Sequence, residues 1–137
     1  HCSAPSATPS AQENVEAARR CLDAYRRGDY EEASLYLAPD VVWEVGQELP
    51  AQGPAAVRDV WRRWDAEWEE LETVAEEFID AGDRLVVVVR YRGRGRFSGI
   101  EVNDLQFEVH TLRDGRCIRK VEFPTRSEAL EAAGLSE

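Results

Sequence analysis

The stretch Asn103–Phe123, NDLQFEVHTLRDGRCIRKVEF, limits the possible folds more than any other part of the chain. Leu105, Phe107 and Val109 alternate with Asp104, Gln106, Glu108 and His110. Successive side chains on a strand point to opposite faces, so this period of two gives one apolar and one polar face. Asp114-Gly115 marks a turn, and Cys117, Val121 and Phe123 lie on the returning arm. The apolar face of such a hairpin must be covered. Its polar face gathers two carboxylates, an amide and a histidine.

The register depends on the turn. A three-residue loop, Arg113-Asp114-Gly115 with a left-handed Gly115, pairs Leu112 with Arg116, His110 with Ile118, Glu108 with Lys120 and Gln106 with Glu122. A two-residue turn at Asp114-Gly115 puts Glu122 opposite Phe107 instead, because a one-residue slip flips the strand. The three-residue loop is the expectation, since Leu105, Phe107, Val109, Cys117, Val121 and Phe123 then share one apolar face. By pattern alone the polar face meets water, and Glu108 with Lys120 is a surface ion pair worth about 0–1 kcal/mol. The alternative is that this face lines an enclosed space. Polar groups there are costly unless they pair or meet a ligand, and that makes a site.

The rest of the chain supplies helices first and strands later. Residues 1–10, HCSAPSATPS, have almost nothing to bury and read as a disordered tail. Ser10 and Glu13 form a capping box for a first helix, with Val15, Ala18, Leu22 and Tyr25 on one stripe and Gly28 as its stop. Asp29 starts a short second helix, Tyr30–Leu37, which Pro39-Asp40 breaks. Val41–Val45 reads as a strand, and Gly46–Gln52 as a loop. Gly53-Pro54 opens a third helix with Val57, Trp61, Trp64, Trp68 and Leu71 on one face. Thr73–Ile79 and Arg84–Arg92 read as strands around the turn at residues 80–83, and LVVVV in the second is apolar on both faces. Arg90, Arg92, Arg94 and Arg96 form an alternating basic ribbon, which suits an anion or a solvated hairpin end. Ser127–Ala133 is a last short helix stopped by Gly134. Helices segregated to one side of a mainly antiparallel sheet make an α+β domain, here spanning residues 11–137.

Composition excludes several classes. The formal net charge of −10 argues against a general nucleic-acid binder. No apolar run approaches the roughly 20 residues that span a bilayer, so no membrane partner is expected. Cys2, Cys21 and Cys117 have no metal-type spacing, and a Cys21–Cys117 disulfide is disfavoured, so a reducing cytoplasm is the expected location. With two histidines, one of them His1, no usual metal-ligand set is available.

From about Asn14 onward the chain resembles the SnoaL-like branch of the nuclear transport factor 2-like superfamily. The residues that carry this are GDYEEASLYLAPDVVWE, FIDAGDRLVVVVRYRGRG, and HTLRDGRCIRKVEF followed by RSEALEAAGL. The resemblance implies a cone-shaped barrel. Three N-terminal helices pack in a strongly curved, mainly antiparallel sheet around an internal pocket, and the convex face commonly forms a homodimer. Relatives include polyketide cyclases, ketosteroid isomerases and limonene epoxide hydrolases, and fold alone does not choose among them.

Residue matching separates these chemistries. The isomerases' general-base Asp falls on Val45, their oxyanion Tyr on Cys21 and their second Asp on Glu108, so two of three roles are lost. The epoxide hydrolases' Arg matches Arg84 and one Asp matches Glu122. Their other Asp falls on Val86, their Tyr on Trp43 and their Asn on Val45. The cyclases need one late acid to remove a carbon-bound proton, and Glu122 is the nearest position. The resemblance therefore implies Glu122 or Glu108 as base, with a pKa raised by burial, and His110 as relay. The pocket walls are expected from Tyr25, Trp43, Trp61 and Trp64 on the apolar side and Gln106 and Lys120 on the polar side. The expectation is a pocket for a small, mostly apolar molecule, with cofactor-free cyclase- or isomerase-type chemistry. The rival is a non-catalytic binding or accessory domain. No cofactor and no metal are expected, and the expected partners are a second copy and the ligand.

Overall fold

The structure, a computed structural model, describes residues 11–135. The tail expected over residues 1–10 and the cap expected at Ser10 lie outside the described residues. Helix α1 spans Ala11–Arg26 and buries Asn14, Ala18 and Ala24. Gly28 follows at φ 80, the left-handed region where a side chain is strained. The Asp29 side chain then caps α2 (Tyr30–Ala33) by accepting from the Glu32 amide at 3.0 Å.

The second helix is shorter than the sequence suggests. It tightens into a 3-10 turn at Ser34–Tyr36, and strand β1 begins at once, Leu37–Trp43. Pro39 explains the early change, because a residue before proline is pushed out of the helical region. Proline is tolerated within β1 because its ladder to the neighbouring strand is interrupted between Leu37 and Val42. The expected loop after β1 contains a two-residue strand, β2 (Ala51–Gln52).

Helix α3, Pro54–Ala66, also stops sooner than the tryptophan spacing implies. Trp68 and Leu71, expected on its face, belong instead to β3 (Trp68–Ala81). The Trp64 and Trp68 rings still meet edge to face, 5.3 Å between centroids. The i, i+4 contact thus survives the change from helix to strand. Gly93 on the next strand makes room for it: a Cβ there would lie 2.7 Å from the Trp68 ring and 2.4 Å from the Glu70 carbonyl oxygen.

Strands β4 (Arg84–Gly95), β5 (Glu101–Arg113) and β6 (Arg116–Phe123) complete a six-stranded sheet in the order β2-β1-β6-β5-β4-β3. Only β1–β6 is parallel, and the other pairs are antiparallel. Helix α4, Arg126–Ala132, is capped by Thr125. The chain is therefore an α+β domain, a curved, open sheet with α1, α2 and α3 on its inner face and α4 on its outer face.

The hairpin at residues 103–123 corrects the expected register. Asp114 and Gly115 have φ 53 and 78, so the turn is the tight two-residue kind with both central residues left-handed. Arg113 pairs with Arg116 and Leu112 with Cys117, but Thr111 pairs with Arg119. Ile118 is thus an extra residue, a β-bulge that shifts the strand by one. Beyond it His110 faces Lys120 and Glu108 faces Glu122. The bulge recovers the shared polar face that the turn alone would have split. It also places Cys117 on the inner side with Leu112, not on the outer apolar face where it was expected.

The sheet has two cores. Leu85, Val87 and Val89 of β4 face inward with Val41, Trp43, Val57 and Trp61. Val86 and Val88 face outward with Val109, beneath Ala129, Leu130 and Ala133 at α4. Both faces of LVVVV are covered, as its pattern requires. The arginine ribbon is matched across the strands. Arg90 pairs with Glu76 and Asn103, Arg92 with Glu72, and Arg94 with Glu101. Arg96 donates to the Ala66 and Trp68 carbonyls.

Candidate functional site

Between the inner sheet face and the helices lies a cavity of about 650 Å3. Tyr25, Trp43, Trp61, Trp64, Gln106, Glu108, His110, Lys120 and Glu122, singled out from sequence, all line it. Most of the wall is apolar, with Leu22, Val60, Phe78, Val87 and Val89 among the lining residues. On the helix side Tyr25 donates to Asp65 at 2.5 Å, and Tyr30 donates to the other oxygen of the same carboxylate. These bonds tie α1 and α2 to α3. They also hold the Tyr25 ring edge-on to Trp61, 5.9 Å between centroids.

The polar groups sit together on β5 and β6. His110 Nε2 is 2.8 Å from Glu108 Oε1, and His110 Nδ1 is 2.7 Å from the Tyr36 hydroxyl. Lys120 Nζ donates to Glu122 Oε2 at 2.6 Å and to the Glu44 carbonyl oxygen at 2.7 Å. The same ammonium lies 4.6 Å from the Trp43 ring centroid, within cation–π range. Each acid therefore pairs with a basic group two residues along its own strand, while the two acids face each other across strands. Lys120 is only 1 % exposed, as deep as the apolar core.

Electrostatics corrects one expectation. Burial raises the Glu108 pKa, but the His110 hydrogen bond and the charges of Lys120 and His110 outweigh it. Glu108 is held below the ordinary glutamate value, so it stays a carboxylate at neutral pH rather than becoming the elevated-pKa base expected for it. The Tyr36 phenol is pushed well up, mainly by burial and then by Cys117, Cys21 and Glu108 nearby. His110 thus bridges the Tyr36 hydroxyl at Nδ1 and the Glu108 carboxylate at Nε2. Burial raises both inward thiols, Cys117 to about 12. They are packing groups rather than nucleophiles at neutral pH.

The residue matches to other chemistries now have positions. Val45 and Cys21 do line the cavity, where they offer no carboxylate and no phenol. Arg84 and Val86 lie on the outer face: Arg84 donates to the Ala132 carbonyl, and Val86 packs under α4. The water-activating set of an epoxide hydrolase thus has neither its Arg nor its second acid in the cavity. Sequence reading missed Tyr36, Thr73, Phe78, Tyr91 and Phe123, which also line it. Tyr91 was accessible from the alternation with Val87 and Val89. Tyr36 was not, because it sits in a 3-10 turn whose period resembles neither helix nor strand.

The SnoaL-like domain family matches residues 18–120, and the chain belongs to that family, within the nuclear transport factor 2-like superfamily. No curated protein matches the sequence. Among solved structures, one assigned as a SnoaL-like polyketide cyclase from Jannaschia sp. CCS1 is 22% identical, covers 95% of this chain and 96% of that one, and superposes with a TM-score of 0.76. An NTF2-like protein from Burkholderia xenovorans LB400 is 25% identical over 92% of this chain and 98% of that one, with a TM-score of 0.71. TerC, co-crystallised with polyporic acid, is 22% identical over 89% of this chain and 98% of that one, with a TM-score of 0.72.

Proposed function

We propose that the cavity binds a small, mostly apolar carbonyl compound and moves a proton on it, as a cofactor-free cyclase or isomerase does. The observation that carries this reading is the Lys120–Glu122 pair, set into an otherwise apolar wall beside Trp43. An ammonium has three N–H groups, and Glu122 and the Glu44 carbonyl take two. In this reading the third meets a ligand oxygen. Glu122 takes the proton from the carbon beside the carbonyl, the electron pair moves onto the carbonyl oxygen, and Lys120 stabilises the resulting enolate. Glu122 then returns the proton elsewhere on the ligand, or the enolate carbon attacks a second carbonyl. The Tyr36–His110–Glu108 chain orients the adjoining wall and exchanges protons with it. That structures of this fold include an assigned polyketide cyclase and a protein crystallised with polyporic acid is in keeping with this reading.

Deuterium exchange tests the proposal. With aromatic and polycyclic methyl ketones in D2O, NMR should show exchange beside the carbonyl above the buffer rate. Glu122→Gln and Lys120→Met should lose it. Ketones that bind without accelerated exchange would support a second reading, a non-catalytic binding domain. One observation already favours that reading: the carboxylates are paired internally, and Glu108 is a weaker base than a free glutamate. Self-association through the convex face is part of the same proposal. Helix α4 already covers Val86, Val88 and Val109, which leaves the strip of Leu105, Phe107 and Val121 beside it.

A further inference from the structure

Lys120 is the only lysine in the chain; every other member of its 17 Lys and Arg residues is arginine. The arginines take exposed ion pairs, such as Arg92 with Glu72 and Arg126 with Glu77. Among the described residues the lysine is the one buried member of this set, at 1% exposure in the cavity wall. An ion pair alone gives no reason for the exception. A guanidinium binds a carboxylate in a fixed fork and keeps its proton at any ordinary pH. A lysine adds one property: once it gives up a proton, its nitrogen is a nucleophile toward carbonyl carbon.

Three neighbours of the nitrogen suit that property. Glu122 Oε2 lies 2.6 Å from Nζ, within reach to take an ammonium proton directly. A neutral amine keeps two N–H groups, and the Glu44 carbonyl oxygen at 2.7 Å still accepts from one of them. The Trp43 ring, its centroid 4.6 Å from Nζ, attracts a positive charge at that nitrogen, whether it belongs to an ammonium or to an iminium. Tyr25, Trp61 and Trp64 also line the cavity, and such rings pack well against a flat aromatic frame.

We infer that Lys120 forms a covalent imine with an aldehyde or methyl ketone carried on an aromatic frame. The inference rests on the reading of the cavity as a carbonyl site and adds a covalent bond to it. Glu122 takes one ammonium proton, the nitrogen lone pair bonds to the carbonyl carbon, and the carbonyl π pair moves onto oxygen. Glu122 returns its proton to that oxygen, takes a second from nitrogen and delivers it to the new hydroxyl group. The hydroxyl leaves as water while the nitrogen lone pair closes the C=N bond. Glu122 ends as a carboxylate, and the iminium keeps the one positive charge with which Lys120 began. An iminium draws electrons from the adjoining carbon more strongly than a carbonyl does, so Glu122 then removes a proton there to give an enamine.

Trapping with cyanoborohydride tests this. The reagent reduces the C=N bond to a stable amine, and peptide mapping by mass spectrometry separates an adduct on Lys120 from one on the α-amine. Naphthaldehyde, which has no hydrogen on the carbon beside its carbonyl, reads imine formation alone. Acetylnaphthalene in D2O reads imine formation and deuterium exchange together. The adduct should form on Lys120 at least about tenfold faster in the folded protein than in urea, because the cavity holds the two reactants together. Lys120→Arg, which keeps a cation beside Glu122 but has no primary amine, should lose it. Glu122→Gln should slow it, and serves if the first variant does not fold. An adduct that forms no faster on the folded chain, or mainly on the α-amine, would overturn the inference. Exchange without an adduct would also overturn it, and would leave the proposed proton transfer standing. An adduct without exchange would uphold the imine and overturn the proton transfer. No adduct and no exchange would overturn both.

Discussion

The two faces of one sheet use the same charged residue types to different ends. On the outer face Arg90, Arg92 and Arg94 meet Glu76, Glu72 and Glu101, with side chains 30% to 77% exposed. On the inner face Lys120 meets Glu122 at 2% and 24% exposure, and His110 meets Glu108 at 7% and 13%. Outside, water screens each pair and solvates either partner left alone. Inside, every charge depends on a named neighbour, and removing one exposes the need of the other. The position of a charged residue on the alternating strand therefore decides whether it faces water or the cavity.

The largest expected effect comes from breaking the inner pair at its deepest member. Lys120→Met leaves Glu122 without its cation and the Glu44 carbonyl without its donor. Loss of one partner of a buried pair costs on the order of 3–5 kcal/mol, and the partial exposure of Glu122 favours the lower end. Urea unfolding should show a lower midpoint with an unchanged slope. A loss below about 0.5 kcal/mol would put Lys120 in the same category as the outer arginines.

The second effect is a pH dependence confined to the inner face. The folded pKa of Glu108 lies below its ordinary value of 4.5, so the folded state binds that proton less readily than the unfolded chain. Its contribution to stability is present above pH 4.5 and is lost as the pH falls through the lower folded value. Glu108→Gln removes this component. The stability difference between wild type and variant should therefore shrink as acid is added, when followed by urea unfolding from pH 7 to pH 3. A difference that stays constant would mean that Glu108 is not ionised in a site of this kind.

The comparison also shows where the sequence was legible. The alternation in Asn103–Phe123 and the run LVVVV are periodic over enough residues to assign strands and faces, and the family resemblance supplied which face was enclosed. The order of helices and strands followed from caps and turns that act locally. The misread end of α3 was set by a contact distant in sequence. Trp68 continues the tryptophan spacing of α3, yet Gly93 offers it a place on the sheet. The extra residue at Ile118 was hidden for a related reason. The tight turn and the bulge each shift the register by one residue in the same sense, so the polar face stays shared while every partner moves by two. That Glu108 faces Glu122 across the strands, in place of Lys120, follows from these two shifts.

The smallest effect is expected on the outer face, and it sharpens the contrast most. Arg92 and Glu72 lie 2.8 Å apart with side chains 53% and 54% exposed. Arg92→Gln should change stability by no more than about 0.5 kcal/mol, and less again in high salt. The measurement is urea unfolding at two protein concentrations, paired with light scattering. A loss well above that size, growing as the protein is diluted, would show that a second copy covers this face and desolvates the ladder. The two faces would then differ in what covers them, helices inside and a protomer outside, rather than in exposure to water.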